Sequence, residues 1–238
     1  MKITVLTMFP DLFSSIKKSP LWQRAIAKNK LDLKIVDLRS YSNGSFRAND
    51  ESPYGGGAGM LIRYDLIHQA FNDFKTYKKI ALCAQGEVFN QSYAKSLSKE
   101  EEILLLCGHY EGIDQRALQE CDLSLSIGDY ILSGGEIAAM AVIDSLVRLL
   151  PEVIKDNSLE KESFDNNLLE YPQYCRPSEY NNKKVPDILL SGNHEAIRKW
   201  KIKESIKVTL KNRPDLFLKK EFNKEEFELL LEVLSENK

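Results

Sequence analysis

Residues 103–106 read Ile-Leu-Leu-Leu, four apolar side chains in succession with no polar alternation. A strand with one face in water alternates apolar and polar positions. An unbroken run of this kind fits a strand covered on both faces, as in a parallel sheet flanked by helices. Short β-rich runs at residues 2–7, 33–38, 79–83, 103–107 and 123–127 alternate with helix-periodic stretches at 11–28, 64–74, 91–97 and 113–120. That alternation predicts an α/β fold around a parallel sheet. A longer helix is expected from just after Ser133-Gly134-Gly135 to about Leu150, stopped by Pro151. Its Ala138, Ala139, Ala141 and Val142 are small enough for close packing.

Residues 155–162 (KDNSLEKE) are polar and carry little apolar periodicity, and they separate two compositions. The expected organisation is a first domain over 1–154, a flexible linker over 155–162, and a small all-helical domain over 163–238. In the last of these, Arg198, Lys199, Lys201, Lys203, Lys207, Lys211 and Arg213 crowd one stretch that holds Glu204 as its only acid. Standing alone, such a run reads first as a solvated helix face. The final segment has an Asn223 cap with Glu226 three residues on, and Phe227, Leu230, Leu231 and Leu234 as its expected core stripe.

Hydrophobic residues at 43% and charged residues at 29% are ordinary for a soluble globular chain. The net charge of -2 gives no global sign of nucleic-acid binding, so any such site has to come from a local basic patch. No stretch approaches the roughly 18 uninterrupted apolar residues of a membrane span. The start lacks the apolar length and cleavage site of a signal peptide, so the expected location is cytoplasmic, away from membranes. Cys83, Cys107, Cys121 and Cys175 form no C-x-x-C pair and have no metal-ligand spacing. Free thiols in a reducing compartment are the expectation, with no metal site.

Three glycine-bearing segments stand out: PYGGGAGM (53–60), CGHYEGIDQR (107–116) and SIGDYILSGGE (126–136). The last two directly follow predicted strands, at the carboxyl edge where open α/β sheets bind ligands. The first fails the G-x-G-x-x-G pattern because Met60 takes the last glycine slot. No glycine run is followed by Lys-Ser or Lys-Thr, which excludes a P-loop. One such loop reads as a tight turn, whereas three in one chain point to ligand contact.

These three segments, followed by Arg148, resemble the bacterial tRNA (guanine-N1)-methyltransferases, as do EYPQYCRP (170–177) and LLSGNHEAIRKW (189–200). The resemblance runs in order through essentially the whole chain. It implies an α/β domain with a C-terminal trefoil knot of the SPOUT type, against the general rule that chains avoid knots. It also implies a linker, a helical domain that grips tRNA, and a homodimer with shared active sites. The implied methyl donor is S-adenosylmethionine, contacted by Gly108 and by Ile127, Gly128, Asp129, Tyr130, Ile131 and Leu132. Gln85 and Gly86 are expected to line the same pocket, and Gly134 and Gly135 to close it. Ala84 departs from the family, which usually has proline there. Tyr110 and Glu111 fall where the family holds the target guanine, and Asp50 lies near the base before it. Arg198, Lys199 and Lys201 lead the basic run expected on tRNA phosphates.

The implied product is guanosine methylated on N1 at position 37 of tRNA, beside the anticodon. Guanine N1 carries a proton and is a poor nucleophile until that proton leaves. The reaction needs a base at N1, a cation for the charge growing on O6, and in-line geometry. Arg148 matches the family position for O6. The family base is usually an aspartate just before Ser-Phe, and here Glu162 precedes Ser163-Phe164. The carboxylate is kept with one methylene more, leaving Asp156, Glu160 and Asp165 as alternatives. Mg2+ is an expected assistant with no protein site. Two other readings remain at this stage: a non-catalytic RNA-binding protein of the same fold, and a knotted methyltransferase acting on another RNA.

Overall fold

The computed structural model describes residues 1–42, 49–154, 163–164 and 166–236. The chain divides into two compact units, Met1–Lys155 and Asp156–Lys238. The first is built on strands β1 (Lys2–Thr7), β2 (Asp32–Asp37), β5 (Lys78–Val88), β6 (Glu102–Cys107) and β7 (Leu123–Ser126). They form one sheet in the order β2-β1-β6-β5-β7, and every pairing is parallel. A two-residue pair, β3 (Asp50–Glu51) and β4 (Leu61–Ile62), runs antiparallel beside it.

The unbroken apolar run is the middle strand, β6, with residues 103–106 fully buried. Its side chains feed two cores in alternation, as a pleated strand requires. Ile103, Leu105 and Cys107 join Ile3 and Val5 on one face, under helices α1 (Pro20–Ala27), α3 (Gln91–Leu97) and α5 (Glu136–Val147). Leu104 and Leu106 join Leu6 on the other, under α2 (Tyr64–Asp73) and α4 (Gln115–Gln119). Burial of each Leu or Ile contributes about 1.5–3 kcal/mol, so both faces have to be apolar.

The strands match the sequence expectation to within a residue, except that β5 runs on to Val88. The helix expected over 11–28 is broken into two short 3-10 turns, Pro10–Phe13 and Ile16–Lys18, and then α1. The cause is Pro20: it takes the first helical position of α1 and holds Ser19 in an extended conformation. Helix α4 begins at Gln115 because the Asp114 side chain accepts the Arg116 N–H at 2.9 Å. Helix α5 ends at Val147, short of Leu150, with Arg148 as its cap.

In β5, Leu82 and Glu87 both register with Leu125 of β7, so residues 83–86 leave the ladder. Gly86 then lies directly on the β7 backbone: a Cβ there would fall 2.5 Å from the Leu125 carbonyl carbon and amide nitrogen. Gly86→Ala is therefore expected to destabilise the unit by about 1–3 kcal/mol, as overpacking does. Thermal unfolding checks this, and an unchanged midpoint would remove the argument for close packing.

The second unit is not all-helical, contrary to the sequence expectation: it contains a hairpin, β8 (Glu179–Tyr180) with β9 (Lys183–Lys184), turned by Asn181 and Asn182 at positive φ. Helices α6 (Asp187–Leu190), α7 (His194–Asn212), α8 (Pro214–Phe217) and α9 (Lys224–Glu236) follow. Asn223 and Glu226 cap α9 reciprocally, each backbone N–H donating to the other's side chain at 2.9 Å. The expected core stripe is rotated, however. Leu229, Leu230 and Val233 are buried, whereas Phe227, Leu231 and Leu234 are about half exposed. Buried Lys220 donates to Glu226 Oε2 at 2.9 Å and draws that carboxylate inward. The buried face, Glu226, Leu229, Leu230 and Val233, is turned by one residue from the expected one, about 100° of helix.

Candidate active site

A cavity of roughly 490 Å3 opens at the carboxyl ends of β5, β6 and β7. It is cut by the excursion of residues 83–86 on one side and by the loops after β6 and β7 on the other. Gln85, Gly108, Gly134 and Gly135 line it, together with Ile127, Gly128 and residues 130–132. Two expected donor contacts do not reach the wall. Gly86 is packed under β7, as described above. Asp129 is exposed at the tip of a tight turn in which the Tyr130 N–H donates to Gly128 O at 2.9 Å.

The three glycine segments are stitched together by backbone hydrogen bonds. Gly135 N–H donates to Gly108 O at 2.7 Å, and His109 bridges Gly134. Glu111 N–H donates to Met60 O at 3.1 Å, and Ile62 N–H donates to Gly112 O at 3.1 Å. Tyr110 and Glu111 both line the cavity, and the Glu111 backbone ties the loop after β6 to the 53–60 segment. Tyr110 stands in the left-handed region at φ +58, which costs a non-glycine residue roughly 1–2 kcal/mol. Such strain persists where the surroundings over-determine the conformation.

Two side chains that sequence reasoning passed over belong to this wall or lie behind it: His109 lines the cavity, and Glu136 does not reach it. Glu136 is 2% exposed, and its Oε1 accepts from Thr7 Oγ1 at 2.7 Å. His109 packs its ring on Phe9 at 4.3 Å and edge-on to Tyr110 at 4.8 Å. Both lie inside the quoted motifs, but an acid at a helix start reads as ordinary dipole complementation. Only its burial marks it out. Burial pushes the Cys107 thiol up, and Cys121 up to about 12.

Other expected site residues lie elsewhere. Asp50 is in β3, outside the cavity wall. Arg148 caps the far end of α5, its N–H donating to Asp144 O at 3.2 Å. Ala138 of the same helix lines the cavity. The ten steps from one to the other span about 15 Å at 1.5 Å per residue. Glu162 and its alternatives Asp156, Glu160 and Asp165 fall outside the described residues.

The basic run occupies α7, and most of its charges are paired. Arg198 bridges Glu195 and Glu225. Lys203 meets Glu232 at 2.5 Å and Glu236 at 3.1 Å, and Lys207 meets Glu204 and Glu236. Hydrogen bonds from Arg198 hold the Glu195 and Glu225 carboxyls below their ordinary range. Lys199 lies 3.8 Å from Glu195, and the Lys201 ammonium sits 4.6 Å from the centre of the Tyr171 ring. The sequence showed one acid within the run. The fold brings the α9 carboxylates alongside it.

Among the described residues no helix is long and apolar enough to cross a membrane. Comparison with known proteins gives a match to the model of the tRNA (guanine-1)-methyltransferase TrmD family over residues 1–219. A tRNA (guanine-N(1)-)-methyltransferase of Malacoplasma penetrans is 49% identical over 221 residues, covering 92% of this chain and 98% of that protein. Proteins of the same name from Thermosipho africanus and Clostridium beijerinckii are 46% and 47% identical, covering 99% and 97% of this chain and 98% of each relative. A family model over most of the chain and relatives of this identity and coverage agree: the chain belongs to the tRNA (guanine-1)-methyltransferase family.

Proposed function

We propose that the chain methylates N1 of the guanosine at position 37 of tRNA, using S-adenosylmethionine. The observation that carries this reading is the joining of the cavity wall to the Tyr110–Glu111 segment, which sets a donor site beside a base site. Its volume suits a cofactor of this size, since ligand pockets run from roughly 300 to 1,000 Å3. When bound, S-adenosylmethionine supplies an electrophilic methyl group on a sulfonium. Glu162 takes the N1 proton, and Arg148 faces the charge developing on O6. Tyr110 and Glu111 hold the guanine, with Asp50 near the preceding base. Among the described residues no group of three or more His, Cys, Asp or Glu side chains converges, and the proposal gives Mg2+ no protein site. Incubation with labelled donor and transcribed tRNA, followed by mapping of the modified nucleoside, tests the reading. Donor binding without transfer would favour an RNA-binding protein of the same fold, and label on another RNA a different methyltransferase.

The proposed assembly is a cytoplasmic homodimer of knotted domains, each followed by a linker and a helical tRNA-binding domain. The 15 Å of α5 between Ala138 and Arg148 supports a shared site, because Arg148 is carried away from its own cavity. Mixing a Gly128→Val chain with a Glu162→Gln chain is expected to restore part of the activity that each lacks alone. Verified mixed dimers with no recovery would mean that each subunit works by itself.

The α7 cations, led by Arg198, Lys199 and Lys201, are proposed to meet tRNA phosphates. Replacing these three by Gln is expected to weaken tRNA binding and flatten its salt dependence, each lost phosphate contact removing roughly 0.7–0.9 from the log–log slope. Filter binding across a salt series reads this. An unchanged slope would return the run to the status of a solvated face already satisfied by α9.

A further inference from the structure

We infer that Glu136 is a positioning residue for methyl transfer, acting through His109 to fix Tyr110 in the cavity wall. The inference rests on the proposed role of Tyr110 in holding the guanine.

A carboxylate buried this deeply is unfavourable unless it is paired. Glu136 is the first residue of α5, where the helix N-terminus favours negative charge. That benefit is equally available to a side chain pointing into water. Glu136 instead turns inward to Thr7, at the end of β1. Thr7 Oγ1 in turn accepts the Phe9 N–H at 2.9 Å, which sets the Phe9 ring against His109. The second carboxylate oxygen, Oε2, faces His109 Nδ1 at 3.7 Å. That nitrogen is buried with no hydrogen-bond partner among the described residues, and the facing carboxylate is the group its N–H would serve with a small closure of the gap. A Cβ at Gly134 would overlap both the carboxylate and the imidazole, so a glycine is needed to let the two face each other.

The chain of contacts then continues outward. The His109 backbone bridges Gly134 in the loop that precedes α5, and its ring meets Tyr110 edge-on at 90°. Tyr110 keeps a left-handed backbone while lining the cavity. Glu136 thus links the end of β1, the donor loop and the base-holding tyrosine, without itself lining the cavity.

Glu136 also supports the start of α5, and its removal risks unfolding the chain, so the test is placed on His109. His109→Phe keeps a ring between Phe9 and Tyr110 but loses Nδ1. Single-turnover transfer at saturating donor and tRNA is compared for the unaltered chain, His109→Phe, Tyr110→Ala and the double variant. Donor affinity is read by calorimetry. The expected result is a rate about 10- to 100-fold lower for His109→Phe at donor saturation, the usual effect of a small misplacement, with the melting temperature held. With Tyr110 already Ala, the His109 change should add nothing. A full rate for His109→Phe, or an equal loss with and without Tyr110, overturns the inference. A full rate for Tyr110→Ala would instead overturn the base-holding role and this inference with it. The two failures are therefore distinguishable.

Discussion

Glu162→Gln is expected to transfer methyl roughly 100- to 10,000-fold more slowly than the unaltered chain, the usual worth of a positioned base. Glutamine keeps the size and hydrogen bonding of Glu162 but cannot accept the N1 proton. A base acts on the transition state, so donor and tRNA affinities should change little. Glu162→Asp should retain substantial activity, because the carboxylate is kept with one methylene fewer. Arg148→Ala belongs to the same experiment. It should cripple transfer, and Arg148→Lys should rescue it poorly, since a point charge replaces a planar fork of donors. The measurement is single-turnover transfer with both substrates saturating, which separates chemistry from product release. Glu162→Gln at the unaltered rate would move the base to Asp156, Glu160 or Asp165.

Gly134→Val should reduce donor affinity by at least about 100-fold, roughly 2.7 kcal/mol. The new side chain would occupy the space shared by the Glu136 carboxylate and the His109 ring. Both are held from behind, one by Thr7 and the other by Phe9. The loop itself therefore has to move, and the cavity wall moves with it. The sheet lies beneath and should stay folded. Calorimetric titration with S-adenosylmethionine, alongside a thermal melt, separates the two effects. Undiminished binding by a folded variant would place the donor elsewhere.

Much of this site was legible before any coordinates, because glycine loops after strands have a mechanism attached. Gly108, Gly134 and Gly135 announce backbone approach, and the run at 103–106 announces a strand covered on both faces. The remainder was hidden for identifiable reasons. Glu136 looks like any acid at a helix start, and only Thr7, far away in sequence, turns it inward. The α9 stripe differs by one residue because its buried face is chosen by packing on Ile206 of α7, which the local pattern does not show. The basic run of α7 gave no hint of Glu225, Glu232 and Glu236, because local sequence does not say which helix will lie alongside.

The four residues by which β5 leaves its ladder carry a consequence for selection. Cys83, Ala84 and Gln85 line the cavity on chain that the β5–β7 ladder does not use, whereas Gly86 is pinned against the β7 backbone. Side chains at 83–85 are thus open to replacement with little penalty to folding. An inhibitor that draws its affinity from 83–85 would meet resistance by single substitutions there. One that leans on the loop surface kept open by Gly134 confronts a position where escape sacrifices the donor.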